Sequence, residues 1–291
     1  MHEPFILIDM LLYVLGTSQD AGYPQVGCKN ICCQTAWDNP ELKKFPSSIA
    51  IINKEDRKYW LIDITPEIKT QIQMIDKFDC SLEGIFITHA HIGHYMGLIN
   101  LGLEVMNLKN IPVYVMPKMK EFIINNTLLN QLVENNNIKL SLISDGIDIN
   151  INDNFTIQAF DVPHRNELSE TVGYKIIGQK KSAIYMPDID SWDRFEKNLF
   201  KLINNNDILF LDGTFYQKSE IKTRDIKKIP HPSIVDTMDM LMDLSDEDKQ
   251  KIHFIHFNHT NDAIREGSEA YNTIIDSGFS ISRENQKFNL S

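Results

Sequence analysis

Three histidines fall within six residues in Thr88-His89-Ala90-His91-Ile92-Gly93-His94. They come directly after an apolar run at 84–88 that reads as a short buried strand. A strand ending there leaves the imidazoles in a loop, where neutral rings can converge on one cation. A second cluster lies upstream, where Cys28, Cys32 and Cys33 share six positions. The adjacent pair cannot easily bridge each other, so the cluster is a poor disulfide framework. In a reducing compartment such thiols point to metal. Cys80, alone after a helix, reads as core.

Strand and helix signals alternate along the chain that must position these groups. A first strand is expected at 11–15, ending in Gly16-Thr17-Ser18. From there to Pro46 the chain reads as one long irregular loop (about 16–46) carrying the cysteines, with Gly22, Pro24, Gly27 and Pro40 along it. Loops of that length are usually functional. Strands at 48–52 and 59–63 flank a polar turn and form a hairpin. Thr65 caps a helix that Pro66 opens. The spacing of Met96, Ile99, Leu103 and Met106 predicts a helix over 94–106. A strand at 113–116 and a helix at 118–125 precede four strands, at 138–143, 155–161, 171–177 and 182–186. Helices are expected at 191–202, 233–244 and 264–275, and strands at 207–212 and 251–257. No repeat, low-complexity tract or linker divides the chain, so 1–291 reads as one domain. The order fits two β-rich halves face to face with helices outside, an α/β four-layer αββα sandwich.

The histidine run resembles the signature His-x-His-x-Asp-His of the metallo-β-lactamase superfamily, except that Gly93 stands at the aspartate position. The resemblance implies that same sandwich and further ligands in order along the chain. His164, after the strand at 155–161 and Pro163, matches a ligand of the first site. Asp188, in Tyr185-Met186-Pro187-Asp188, matches the bridging aspartate, with Asp190 its rival. His256 matches the last ligand of the second site. The implied first site is then His89, His91 and His164, and the second is His94 and His256, with Asp188 bridging. The absent aspartate belongs to the second site, so that site is expected to be the weaker and Gly93→Asp to tighten it. His253 lies an odd number of positions from His256, and strand alternation puts the two on opposite faces, so His253 is expected to be structural or exposed. His2 is expected to be disordered or structural.

The opening Leu15-Gly16-Thr17-Ser18-Gln19-Asp20-Ala21-Gly22-Tyr23-Pro24, followed by Gly27-Cys28, narrows the resemblance. It is similar to the branch that contains the pyrroloquinoline quinone synthesis protein B and the cyclic-phosphate phosphodiesterase of the phosphonate pathway. Asp212-Gly213-Thr214-Phe215 and Ile255-His256-Phe257-Asn258-His259-Thr260-Asn261 carry the same likeness, which spans about 12–261. The phosphodiesterase side implies a structural zinc on Cys28, Cys32 and Cys33, with His259 as the fourth ligand. Relatives that cleave phosphodiesters use a histidine in the region of His231 to protonate or steady the leaving group, and the helix start beside it favours an anion.

The implied activity is hydrolysis of a small phosphodiester or ester by water activated on one or two Zn²⁺ ions, with Fe or Mn as alternatives. Asp188 would orient that water and His231 assist departure. Arg165 and Glu170, near His164 in sequence, are candidates to touch substrate. The quinone-synthesis side implies instead an Fe-dependent oxidative enzyme. The glycine at 93 keeps a non-catalytic metal-binding protein as a third reading.

Composition bounds these readings. The 291 residues are 42% hydrophobic and 24% charged, enough to bury a core without disulfides. Lys+Arg 29 against Asp+Glu 40 gives a net charge of −11, which argues against nucleic acid as a partner. No apolar run reaches about 18 residues, so no membrane span is expected. The apolar stretch at 5–15 contains Asp9 and has no Lys or Arg before it, so it reads as a buried first strand and not a signal peptide. A cytoplasmic protein acting on a small-molecule substrate is expected, with a homodimer left open.

Overall fold

The computed structural model describes residues 10–152, 155–195, 199–220 and 230–291; His2 and residues 5–9 of the apolar stretch at 5–15 lie outside them. The strands are β1 (Met10–Gly16), β2 (Ser48–Asn53), β3 (Lys58–Ile62), β4 (Ser81–Phe86), β5 (Ile111–Val115), β6 (Ile138–Leu142), β7 (Asp148–Asn152), β8 (Phe155–Asp161), β9 (Val172–Ile177), β10 (Ser182–Met186), β11 (Ile208–Asp212), β12 (Ile252–Ile255), β13 (Ser280–Ile281) and β14 (Lys287–Asn289). They form two seven-stranded sheets, ordered β14-β1-β2-β3-β4-β5-β6 and β13-β12-β11-β10-β9-β8-β7.

Side-chain alternation along these strands builds three apolar layers. In β1, Leu12 and Val14 face the other sheet while Tyr13 and Leu15 face the helices. In β11, Ile208 and Phe210 point between the sheets, and Leu209 and Leu211 point out. The first sheet is covered by α2 (Ile68–Ile75), α3 (Ile92–Tyr95), α4 (Pro117–Asn125) and α5 (Thr127–Glu134) through residues such as Ile75, Tyr95, Ile123 and Leu129. The second is covered by α1 (Ile31–Asp38), α6 (Leu199–Asn204), α7 (Ile234–Met240) and α9 (Glu269–Asp276) through Ala36, Ile203, Ile234 and Ile274. A short α8 (Asp246–Gln250) leads into β12. The result is the expected αββα sandwich. Strands buried on both faces explain why the central residues of β1, β2 and β11 are apolar and not alternating in sequence.

Several elements differ from the sequence reading. The loop at 16–46 is not wholly irregular: α1 lies within it and places Cys32 and Cys33 in its first turn. The helix expected over 94–106 is one α turn followed by a 3₁₀ stretch, Met96–Leu101. Gly97 lies so close to Thr65 and Ile64 that a Cβ there would collide with backbone, and this close packing tightens the segment. The helix expected over 191–202 is a 3₁₀ turn at Trp192–Arg194 and then α6, with 196–198 outside the described residues. The elements α5, β7, α8, β13 and β14 were not expected; most are short, and β7 alternates Ile149 and Ile151 with polar residues over only five positions. No helix among the described residues is long and apolar enough to cross a membrane.

Strand direction sets where the site lies. β1, β3 and β4 run the same way in the first sheet, because β1 and β3 are both antiparallel to β2, and β4 is parallel to β3. In the second sheet β8, β10, β11 and β12 share one direction. The loops leaving these seven strands carry the candidate ligands.

Candidate metal centre

His89 and His91 lie in the turn after β4, His164 in the loop after β8, and Asp188 just past β10. Their ligand atoms gather within 4.8 Å of one another. His91 Nδ1 lies 2.9 Å from His89 Nε2 and 3.4 Å from His164 Nε2. Asp188 Oδ2 lies 3.2 Å from His164 Nε2, 3.4 Å from His89 Nε2 and 3.9 Å from His91 Nδ1. Three imidazoles and one carboxylate oxygen around one point suit a four-coordinate Zn²⁺, and also Fe or Mn.

A second group joins His94, His256 and Asp20 within the same span. Asp20 was not expected. It lies in the loop after β1, with Oδ1 3.3 Å from His94 Nε2. Asp188 Oδ2 reaches to 4.0 Å from His256 Nε2, so that carboxylate stands between the two groups, while its rival Asp190 does not. Asp20 Oδ1, His94 Nε2 and His256 Nε2 are all buried with no hydrogen-bonding partner among the described residues. Buried polar atoms are normally paired, and three converging here fit a shared cation.

Outer partners turn the rings inward. His89 Nδ1 meets Thr88 Oγ1 at 3.0 Å, His94 Nδ1 meets Asp63 Oδ2 at 2.7 Å, His164 Nδ1 meets Asp190 Oδ1 at 2.9 Å and His256 Nδ1 meets Thr214 Oγ1 at 3.0 Å. With Nδ1 occupied, Nε2 is the nitrogen presented to the centre. Asp63 also accepts from the Thr88 N–H at 2.8 Å, tying β3 to the histidine loop. Asp63 and His256 both have positive φ, 65° and 69°, a left-handed backbone that residues with side chains adopt at a cost and that clusters at functional sites. Asp63 and the supporting role of Asp190 carried no motif signal, because each acts through a histidine distant in sequence.

The electrostatics follow from burial and neighbours. Burial lowers the His89 pKa well below its ordinary value, helped by the charge on His94. Burial also opposes the charged form of His94, but Asp63 and Asp20 overcome this and raise it to about 10. Burial would raise Asp188, yet His164, His231 and His256 hold its carboxyl well below the usual range. These carboxylates hold protons on the imidazoles, and a divalent cation would displace them.

His231 stands beside this centre, with Nδ1 2.8 Å from Asp212 Oδ2 and 3.4 Å from Asp188 Oδ1. Burial would lower its pKa, but Asp212 and Asp188 raise it to about 9. Asp212 is itself fixed by the N–H groups of Ile189 and Thr214. His231, Asp188 and His256 open on a cavity of about 660 Å³ that Arg165 and Lys29 also line. Glu170 instead accepts from the Lys118 N–H and faces a neighbouring cavity beside Arg194.

Cys28, Cys32, Cys33 and His259 form a third group within 4.8 Å. Cys33 Sγ lies 3.4 Å from His259 Nδ1, and Cys32 Sγ lies 3.9 Å from it. Consecutive cysteines can point to one place because both sit in the first turn of α1, bent toward the loop after β12. Burial pushes the thiols of Cys32 and Cys33 up, so a metal would be needed to hold them as thiolates at neutral pH. Cys80 packs against the helix side of the first sheet.

His253 is buried at 8% exposure, against Phe210 and Phe288. Its separation from His256 is not a matter of alternation: β12 stops at Ile255, and His256 leaves the strand with its positive φ.

A domain described as "Beta-lactamase superfamily domain" matches residues 61–257. Coenzyme PQQ synthesis protein B of Rhodopseudomonas palustris (strain TIE-1) is 21% identical over 310 residues, covering 95% of this chain and 98% of that protein. The crystal structure of Zn²⁺-bound PqqB from Methylobacterium extorquens superposes with a TM-score of 0.81 at 20% identity, over 96% of this chain and 99% of that one. A diphosphatase from the PhnP family superposes with a TM-score of 0.69 at 20% identity, over 97% of each chain. The chain belongs to the metallo-β-lactamase superfamily.

Proposed function

We propose that the protein is a metal-dependent hydrolase of small phosphodiesters or related esters. The observation that carries this reading is that Asp188 is shared: one carboxylate faces the His89/His91/His164 group, the His94/His256 group and His231. A divalent ion bound there would supply Lewis-acid polarisation of the substrate and a lowered pKa for its water. The chain's own residues supply the rest. Asp188 orients the attacking water. Asp212 takes up His231 Nδ1, so Nε2 is the nitrogen that reaches substrate. The Asp212 carboxylate favours a proton on His231, which the ring can give to the leaving oxygen. Arg165 and Lys29 on the cavity wall suit a phosphate. A cavity of about 660 Å³ favours a small substrate.

The test is turnover of bis-p-nitrophenyl phosphate and of a ribose cyclic phosphate by metal-loaded protein, with equal rates with and without oxygen. His231→Ala should lower kcat more than it raises KM, because proton donation acts in the transition state. Inertness toward these esters with the centre fully loaded sinks the reading.

A second reading rests on Asp20, His94 and His256. Two histidines and one carboxylate are a donor set that suits Fe(II) in oxygen chemistry. The PqqB relatives lend it support. It requires activity that depends on Fe(II) and consumes oxygen.

A further inference from the structure

Gly93 and Asp20 occupy each other's chemical place. A Cβ built on Gly93 would lie 2.5 Å from Asp20 Cα and 3.0 Å from its Cγ, and closer still to Oδ1. Close-packed interiors do not tolerate such an approach to a backbone atom. No side chain fits at 93 while the loop after β1 lies where it does. The carboxylate of Asp20 fills that space instead, with Oδ1 3.3 Å from His94 Nε2.

Two further observations give this carboxylate a ligand's role. Asp20 Oδ1, His94 Nε2 and His256 Nε2 are buried without hydrogen-bonding partners among the described residues, and His94 and His256 are only 1% and 2% exposed. The loop is also tied to the segment carrying His256. The Gln19 N–H donates to Phe257 O at 2.9 Å, the Phe257 N–H donates to Thr17 O at 2.8 Å, and Gly22, at φ 72°, turns the chain back to donate to Gln19 O. Asp20 and His256 are thereby presented to His94 together.

We propose that Asp20 is the carboxylate ligand of the second metal site, exchanged in space with position 93. Glycine at 93 is then a requirement of this site and not a deficiency in it. The second site keeps a full donor set, and Gly93→Asp weakens metal binding, the reverse of what the motif alone leads one to expect. The inference rests on the metal centre described above, and it holds for hydrolytic and oxidative chemistry alike.

Metal binding without substrate tests it. Chelator-stripped protein is titrated with Co²⁺, followed by its absorption spectrum and by the metal retained after desalting. The intact chain should take up about two equivalents at the histidine–aspartate centre. Asp20→Ala should abolish one of them, or weaken it at least about tenfold, with the other unchanged. Gly93→Asp alone should weaken the same equivalent. Asp20→Gly combined with Gly93→Asp should restore it to within a few-fold of the original chain. Unchanged uptake and affinity in Asp20→Ala would overturn the proposal, as would tightening in Gly93→Asp. So would a folded exchange variant that binds no better than Asp20→Gly. Should the exchange variant not fold, Asp20→Ala decides alone. The expected metal pattern with inert phosphodiesters would sink the hydrolase reading and leave this one standing.

Discussion

The two halves of the metal centre draw on different segments of the chain. His89, His91, His164 and Asp188 all stand within a few residues of the ends of β4, β8 and β10. The other half takes His94 and His256 from similar places but draws Asp20 from the long loop between β1 and β2. Both halves present nitrogen and carboxylate donors, and both turn their rings with outer hydrogen bonds. The donor chemistry is therefore the same, while the backbone that delivers it differs. A ligand's place is fixed in space, and any segment that reaches that space can supply it.

The largest effect should come from Asp188→Ala, which removes the group common to both halves. Metal content at both should fall, and hydrolysis should drop by at least about a thousandfold, as loss of several kcal/mol of charge stabilisation implies. Mass-spectrometric metal analysis with a phosphodiester assay checks this. His231→Ala should lower kcat by about a hundredfold or more while metal content stays unchanged, which separates proton donation from metal binding.

Cys28→Ser should release about one zinc equivalent and lower the Tm, since a structural zinc contributes several kcal/mol or more to folding. The histidine–aspartate centre should keep its metal. Unchanged zinc content and Tm would reduce the thiol cluster to ordinary packing.

A matched pair sharpens the contrast between the halves. Asp190→Asn loosens the partner of His164, and Thr214→Val removes the partner of His256. The first should weaken only the His89/His91/His164 half and the second only the Asp20/His94/His256 half, each by about 10- to 100-fold. Calorimetric metal titrations distinguish the two, and equal loss at both halves would break the comparison.

The smallest effect belongs to His253, a buried histidine with no part in either half. Burial lowers its pKa to about 4, and its Nδ1 has no hydrogen-bonding partner among the described residues. Its folded pKa lies below the unfolded value, so its neutral form stabilises the fold above about pH 6.5, and that contribution fades as pH falls toward 4. His253→Phe should raise stability by roughly 1 kcal/mol at neutral pH. The gain should widen at pH 5; thermal melts at pH 7 and pH 5 give the comparison.

Much of this was legible in the sequence, for local reasons. The run from His89 to His94 shows its donors side by side, and apolar strands before His164 and Asp188 mark them as strand-end positions. Helix boundaries were less legible wherever tertiary packing overrode periodicity. The apolar spacing after His94 is helical, yet Gly97 is pressed against Thr65 and the segment tightens to 3₁₀. The two-residue β13 exists because the edge of β12 pairs with it, a cause absent from its own residues.

The sequence by itself determined the two apolar sheets, the order of the histidines and the thiol cluster, because strand period and donor type are written in neighbouring residues. Only the tertiary structure decided what surrounds and completes those donors. It set His231 on Asp212 and Asp63 on His94, and it seated Asp20 where Gly93 leaves room. Those relations are distances between segments far apart in the chain. Packing fixes such distances, and a motif confined to one segment cannot carry them.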